Sequence, residues 1–280
     1  MEAFHMQHLF DDDAPVLIFG GPYSNLQATQ AMRAEASRHG IPADHCICTG
    51  DVVAYCGDPV ETINEIRDWG CAVIAGNCER QLAVGADDCG CGFDEGSTCD
   101  LLSVGWYRHA NALINEDARD WMRALPDAAV FTHQRQSAVI THGGFTNISR
   151  FLWSVSPEQA FLEELQTLAA KSPAHTAPNW IFAGHSGIPF QRQIGASTWV
   201  NAGVIGMPPH DGQTETRYAL LQDGQVSFHS LTYDVDAAYN SMMTAGLTQG
   251  YHQGLTSGYW PSEDVLPPTL RRPPPLASLG

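Results

Sequence analysis

Positive charge is what this sequence has least of. Lys171 is the single lysine, and 14 basic residues face 31 acidic ones, giving a formal charge of -17. Contact with nucleic acid or an anionic membrane needs clustered cations that displace counterions, so neither partner is expected. Long apolar runs are also missing, and no stretch reaches the length that crosses a bilayer. The opening MEAFHMQHLFDDDAPVLIFG lacks a basic segment followed by an apolar core and a small-residue cleavage site, which leads to the expectation of a cytoplasmic protein. Three common site signatures are absent as well. FGGPYSN has no lysine and the wrong spacing for a Gly-x4-Gly-Lys phosphate loop, no dinucleotide fingerprint occurs, and AGHSGI puts histidine where a serine-hydrolase elbow needs serine.

What is present suits a folded α/β protein. The 280 residues are 44% hydrophobic, enough for a sizeable core. Eight cysteines in a reduced compartment read as free thiols or ligands rather than a disulfide framework. Val16–Phe19 reads as a buried strand, and Asn25 as the cap of a helix beginning at Leu26. HCICTG is a second strand, ending at Gly50-Asp51. Asp58-Pro59-Val60-Glu61 starts a helix that Gly70 stops. CAVIAG is a third strand, ending at Gly76-Asn77-Cys78-Glu79.

Residues 87–103, DDCGCGFDEGSTCDLLS, interrupt this rhythm as a cysteine-rich insert. An amphipathic helix with Ala118, Trp121, Met122 and Leu125 follows, stopped by Pro126. The second half turns to short β-rich runs (AAVFT, SAVITH, NWIFAGH, STWVNAG, RYALLQ and QVSFHSL) with one helix from Ser156-Pro157. The expectation is one domain over residues 1–260 with two sheets. A proline-rich tail over 261–280 is expected to be extended, either packed across the body or a partner, or loose.

Singly, each polar turn is weak evidence, because a Gly-Asp pair is commonly structural and a lone histidine commonly a core residue. Together they carry more weight. Asp51, Asn77, His142 and His185 each follow a predicted strand, and a carboxylate, an amide oxygen and two imidazoles at one sheet edge make a divalent-metal site of mixed oxygen and nitrogen ligands.

With those motifs in place, the chain resembles the calcineurin-like metallophosphoesterases, in particular the bacterial subgroup of small phosphodiesterases and dinucleoside-tetraphosphatase-like proteins. The resemblance spans nearly the whole chain. It rests on CTGDVVAYCGDP for the Gly-Asp motif, AGNCER for Gly-Asn-His-Asp/Glu, ITHGG for an isolated metal histidine, FAGHSGIPF for Gly-His-x-His, and VNAGVIGMP for a trailing Asn-x-Gly element. It implies a four-layer α/β/β/α sandwich of two mixed sheets, and two metals that activate a hydroxide for attack on phosphorus.

The departures are specific. The family's Ser-Asp-x-His-Gly-Asn-Leu aligns with GGPYSNL, which puts Gly21 in the aspartate position and Tyr23 in the histidine position, and Gly187 replaces the last histidine of Gly-His-x-His. All three losses fall on the first metal. Asp51, Asn77, His142 and His185 keep the second, so one divalent ion per chain (manganese, zinc or iron) is expected. Cys78 stands where the family often has a histidine that protonates the leaving oxygen; it is either a proton donor or a small buried strand-end residue.

Further roles stay open at this level. Cys89, Cys91 and Cys99 either supply replacement thiolate ligands or pack as ordinary thiols. Arg80 and Arg150 either contact phosphate or pair with surface acids. Tyr23 binds a ferric ion as phenolate, reaches substrate through its hydroxyl, or fills the space of the absent metal.

The function implied is hydrolysis of a small-molecule phosphoester or nucleotide, with Asp51 and Cys78 as the catalytic pair. Two alternatives share the scaffold. His142, His185 and Asp51 also describe a non-haem iron triad for redox chemistry, and a non-catalytic ligand-binding protein would use the same half-site. A homo-oligomer is compatible with either.

Overall fold

The computed structural model describes residues 4–172 and 177–272. Eleven strands among these residues form two mixed sheets. They are β1 (Met6–Asp11), β2 (Val16–Phe19), β3 (Cys46–Cys48), β4 (Ala72–Val73), β5 (Ala128–His133), β6 (Gln136–Thr141), β7 (Trp180–Ala183), β8 (Phe190–Ile194), β9 (Ser197–Asn201), β10 (Thr216–Gln222) and β11 (Gln225–Leu231). The helices are α1 (Leu26–Arg38), α2 (Pro59–Trp69), α3 (Asn77–Ala83), α4 (Thr98–Leu113), α5 (Glu116–Ala124), α6 (Glu158–Lys171), α7 (Val235–Thr244) and α8 (Tyr251–Ser257). No helix among the described residues is long and apolar enough to cross a membrane.

One sheet runs β1-β5-β6-β7-β9-β8 and the other β11-β10-β2-β3-β4. Side-chain alternation along β2 shows how they stack. Val16 and Ile18 enter the core between the sheets with Ile47, Phe131, Ile140 and Phe182, while Leu17 and Phe19 point to the helices with Met32, Ile63 and Trp69. Both faces of β2 are covered, so all four of its residues are buried. A third cluster, with Phe161, Leu168, Ile181 and Trp199, seats α6 on the outer face of the six-stranded sheet. The result is the expected α/β/β/α sandwich.

Local signals place the helices that flank the site. The Asn25 side chain accepts from the Ala28 N–H and caps α1. Pro59 opens α2, and Gly70, at φ +74°, ends it in the left-handed conformation. Strands β3 and β4 are shorter than HCICTG and CAVIAG suggest. Residues after Cys48 and Val73 leave the sheet to form the turns that carry Asp51 and Asn77.

Other elements lacked a usable signal. β1 joins β5 from the chain start, β8 pairs with β9, and α7 and α8 follow the last strand. Of the expected tail, residues 261–272 lie against the body, with Leu266 buried, and 273–280 fall outside the described residues.

The two sheets meet at their carboxyl ends. Gly20 bridges to Val204, and its N–H donates to the Gly203 carbonyl at 3.0 Å. Thr49 Oγ1 sits at this junction, 1.9 Å from where a Cβ on Gly184 would stand. Gly184→Ala is therefore expected to lose more than about 2 kcal/mol of stability, and less in a Thr49→Ala background, as measured by urea unfolding.

Candidate metal centre

Each sheet contributes half of the centre. Asp51 follows β3 and Asn77 follows β4 on one sheet, while His142 follows β6 and His185 follows β7 on the other. Asp51 has φ +55°, a conformation that side-chain-bearing residues adopt reluctantly. Glu79 holds it there. This carboxylate has no solvent exposure, and it accepts the backbone N–H of Asp51 at 2.7 Å, of Gly76 at 2.9 Å and of Val53 at 3.3 Å. Gly76 fits because it lacks a Cβ, which would stand 2.2 Å from Asp51 Oδ1.

The four donors converge. His142 Nε2 lies 3.0 Å from Asn77 Oδ1, 3.0 Å from His185 Nδ1 and 3.3 Å from Asp51 Oδ2. Two contacts decide which atoms carry lone pairs. His142 Nδ1 donates to the Thr49 carbonyl at 2.7 Å, so in the neutral ring Nε2 is unprotonated. The Asn77 amide donates to the Cys89 carbonyl at 3.0 Å and to the Cys78 sulfur at 3.4 Å, which turns its oxygen toward the histidines.

Neutral His142 would therefore set a nitrogen lone pair against the oxygens of Asn77 and Asp51, an arrangement that requires a cation or proton between them. Tetrahedral ligands about 2.0–2.2 Å from an ion stand about 3.3–3.6 Å apart, a few tenths of an ångström wider than most of the separations here. A divalent ion fits.

The electrostatics agree with that need. Burial opposes ionisation of Asp51 but His142 outweighs it, so the carboxyl titrates below its ordinary value. Burial likewise opposes charging His142, and Asp51 and the Thr49 carbonyl overcome it, raising its pKa. His185 is pushed down to about 3 by burial and by His142, so it is neutral. Its Nε2 has no hydrogen-bond partner among the described residues.

Comparison with known proteins identifies the family. The profile of the calcineurin-like phosphoesterase superfamily domain matches residues 24–223. The chain belongs to the calcineurin-like phosphoesterase superfamily. An uncharacterised protein of Methanocaldococcus jannaschii is 20% identical over 260 residues, 87% of this chain and 98% of its own. Among solved structures, a metallophosphoesterase from Sphaerobacter thermophilus superposes with a TM-score of 0.63 at 17% identity, covering 88% of this chain and 99% of its own. A hypothetical protein from Pyrococcus horikoshii gives 0.68 at 16%, covering 87% and 98%. At these identities the superpositions establish the fold.

An aromatic ring fills the space beside Gly21. A Cβ on Gly21 would stand 2.5 Å from Cε1 and Cζ of Tyr23, so the ring occupies the space an aspartate at 21 would need. Burial, and then Asp51, push the Tyr23 phenol far up, so with no ion bound it keeps its proton.

Other expected site residues lie elsewhere or act differently. Arg80 pairs with Asp127 at 2.7 Å and with the Leu125 carbonyl, and Arg150 pairs with Glu163 and Glu164; both guanidinium groups are engaged away from the donors. Cys89 and Cys91 form a disulfide with each other, so neither is a thiolate ligand, and the expectation of eight free thiols is corrected to six. The insert nevertheless covers the centre as a loop, through the Cys89 carbonyl on Asn77 and the Gly90 carbonyl on Ser149. Cys99 belongs to the first turn of α4. The Cys78 thiol is buried, and burial followed by Asp51 raises its pKa, so it keeps its proton. Glu79 is the residue that sequence reasoning passed over. Its position three after Gly76, where a capping-box acid stands, was the available signal.

Two outcomes follow from this geometry. Gly21→Ala is expected to destabilise by about 1–3 kcal/mol, and less in a Tyr23→Ala background, read by denaturant unfolding. Burial and Asp51 push the Glu79 carboxyl up to about 7 from 4.5. A carboxyl raised on folding takes up a proton, so its stabilising part is whole below about 4.5 and disappears as pH rises through about 7. The stability gap between the parent and Glu79→Gln, measured with chelator present, should narrow across that window; a gap that widens contradicts the assignment.

Proposed function

We propose that this protein is a metal-dependent phosphoesterase working with one divalent ion on Asp51, Asn77, His142 and His185. The observation that carries the reading is the convergence of three lone-pair donors, from Asp51, Asn77 and His185, on a fourth, His142 Nε2, with the Thr49 carbonyl fixing the ring. Superfamily membership supports the reaction class. A bound ion supplies Lewis-acid polarisation of a phosphoryl oxygen and a water of lowered pKa.

The chain's own residues do the rest. Glu79 holds Asp51 in its strained turn, and the Cys89 carbonyl keeps the Asn77 oxygen facing the donors. In this reading Cys78 donates a proton to the leaving oxygen from beside the Asn77 amide. The substrate class is a small phosphoester or nucleotide. Manganese, zinc and iron all suit a donor set of two oxygens and two nitrogens.

Elemental analysis of the purified protein should find about one equivalent of metal per chain, absent in His142→Ala. Hydrolysis of bis(p-nitrophenyl) phosphate should fall at least ~10²-fold in Asn77→Ala. Two equivalents would overturn the single-ion reading, and no metal with all four donors intact would overturn the hydrolase. Loading should also raise the unfolding midpoint more as pH increases, because the ion competes with the proton on His142 Nε2.

A further inference from the structure

A narrow cleft, partly open to solvent, adjoins the metal centre on the side of Tyr23 and Gly187. Its wall begins at the centre itself. The Phe151 ring packs on His185, with centroids 4.3 Å apart, and Tyr23 lines the same cleft. Tyr55 continues the wall, edge-on to Tyr23 at 4.7 Å and stacked on Tyr251 at 4.5 Å.

Trp260 closes the far side. Its ring lies over the bare α-carbon of Gly187, where an added Cβ would be 3.4 Å from the indole. Both of its N–H groups are tied down. The backbone N–H donates to His210 Nδ1 at 2.9 Å, and the indole N–H to the Pro208 carbonyl at 2.7 Å. His210 is itself fixed by Glu263 at 2.7 Å, which also holds Arg272 at 2.9 Å. The chain's last described segment thus straps an aromatic side chain across the pocket in a set orientation.

No lysine, arginine, aspartate or glutamate is among the described residues lining this pocket. The two arginines nearest the site motifs in sequence are engaged by acids elsewhere. Aromatic walls with few polar groups favour a flat ring, which gains stacking without needing a particular hydrogen-bond pattern. With no ion at the centre, a dianionic phosphate monoester would bring a second charge close to Asp51 with no cationic side chain to meet it, which is costly. A diester carries one.

We propose that the pocket holds a planar aromatic group of the substrate, and that the substrate is a monoanionic phosphodiester bearing an aryl or nucleobase ring. The choice of a phosphodiester rests on the hydrolase reading above, whereas the ring site stands on the pocket alone.

The test therefore uses metal-free protein and ligand-observed NMR titration, so that a failed metal count and a failed ring site are separate results. The probes are methyl phenyl phosphate, the methyl ester of adenosine monophosphate, dimethyl phosphate and phenyl phosphate, at mildly alkaline pH. One of the two ring-bearing diesters should bind on the order of tenfold more tightly than dimethyl phosphate, the scale of one stacking contact. Whichever is tighter separates aryl from nucleobase. Methyl phenyl phosphate should also exceed phenyl phosphate. Trp260→Ala should bring the ring preference down toward one, and Trp260→Phe should retain it.

Equal binding of ring-bearing diesters and dimethyl phosphate would overturn the ring site, as would a preference that survives both Trp260→Ala and Tyr251→Leu. Phenyl phosphate binding as tightly as methyl phenyl phosphate would overturn the monoanion.

Discussion

The carboxylate of Glu79 is the constraint on which the metal centre depends. It lies without solvent exposure and takes three backbone N–H groups from two separate turns, which joins the segment after β3 to the segment after β4. Asp51 can keep a positive φ only because that network over-determines it. Asp51 Oδ1 in turn accepts the Cys78 N–H at the start of α3, so the strained aspartate and the helix carrying Asn77 support each other. The buried acid is compensated by hydrogen bonds rather than by a cation, which suits a chain with so few basic residues.

The second sheet enters through a backbone contact. The Thr49 carbonyl, from the strand end that leads to Asp51, sets the His142 tautomer across the junction between the sheets. Glycines at 20, 184 and 203 allow that junction to close, and the resulting proximity makes donors from four strand ends into one centre. On the opposite side Tyr23 packs on Gly21 and Trp260 packs on Gly187, so both glycines are covered by aromatic rings.

The motif residues were legible because strand-end turns leave short, polar, glycine-marked signals, and each of the four donors follows its strand as read. The caps at Asn25 and the helix from Pro59 to Gly70 were legible for the same local reason. β1, β8, α7 and α8 were not, because their burial depends on partners far along the chain. Arg80 and Arg150 illustrate a second limit. Their nearness in sequence to AGNCER and ITHGG says nothing of direction, and both turn to acids at Asp127, Glu163 and Glu164. For the cysteine insert, thiolate ligation was one of two readings, and the loop reaches Asn77 through the Cys89 carbonyl rather than through sulfur.

By itself the sequence determined the superfamily and named Asp51, Asn77, His142 and His185 as a candidate donor set, because these are residue identities at motif spacings. Tertiary structure alone decided what packs beside them. Tyr23, Phe151, Tyr251 and Trp260 are scattered over more than two hundred residues, and they share a pocket only once both sheets have met and the chain's end has been tied back by His210 and Glu263. Packing between distant segments has no local pattern, so no stretch of sequence could announce it.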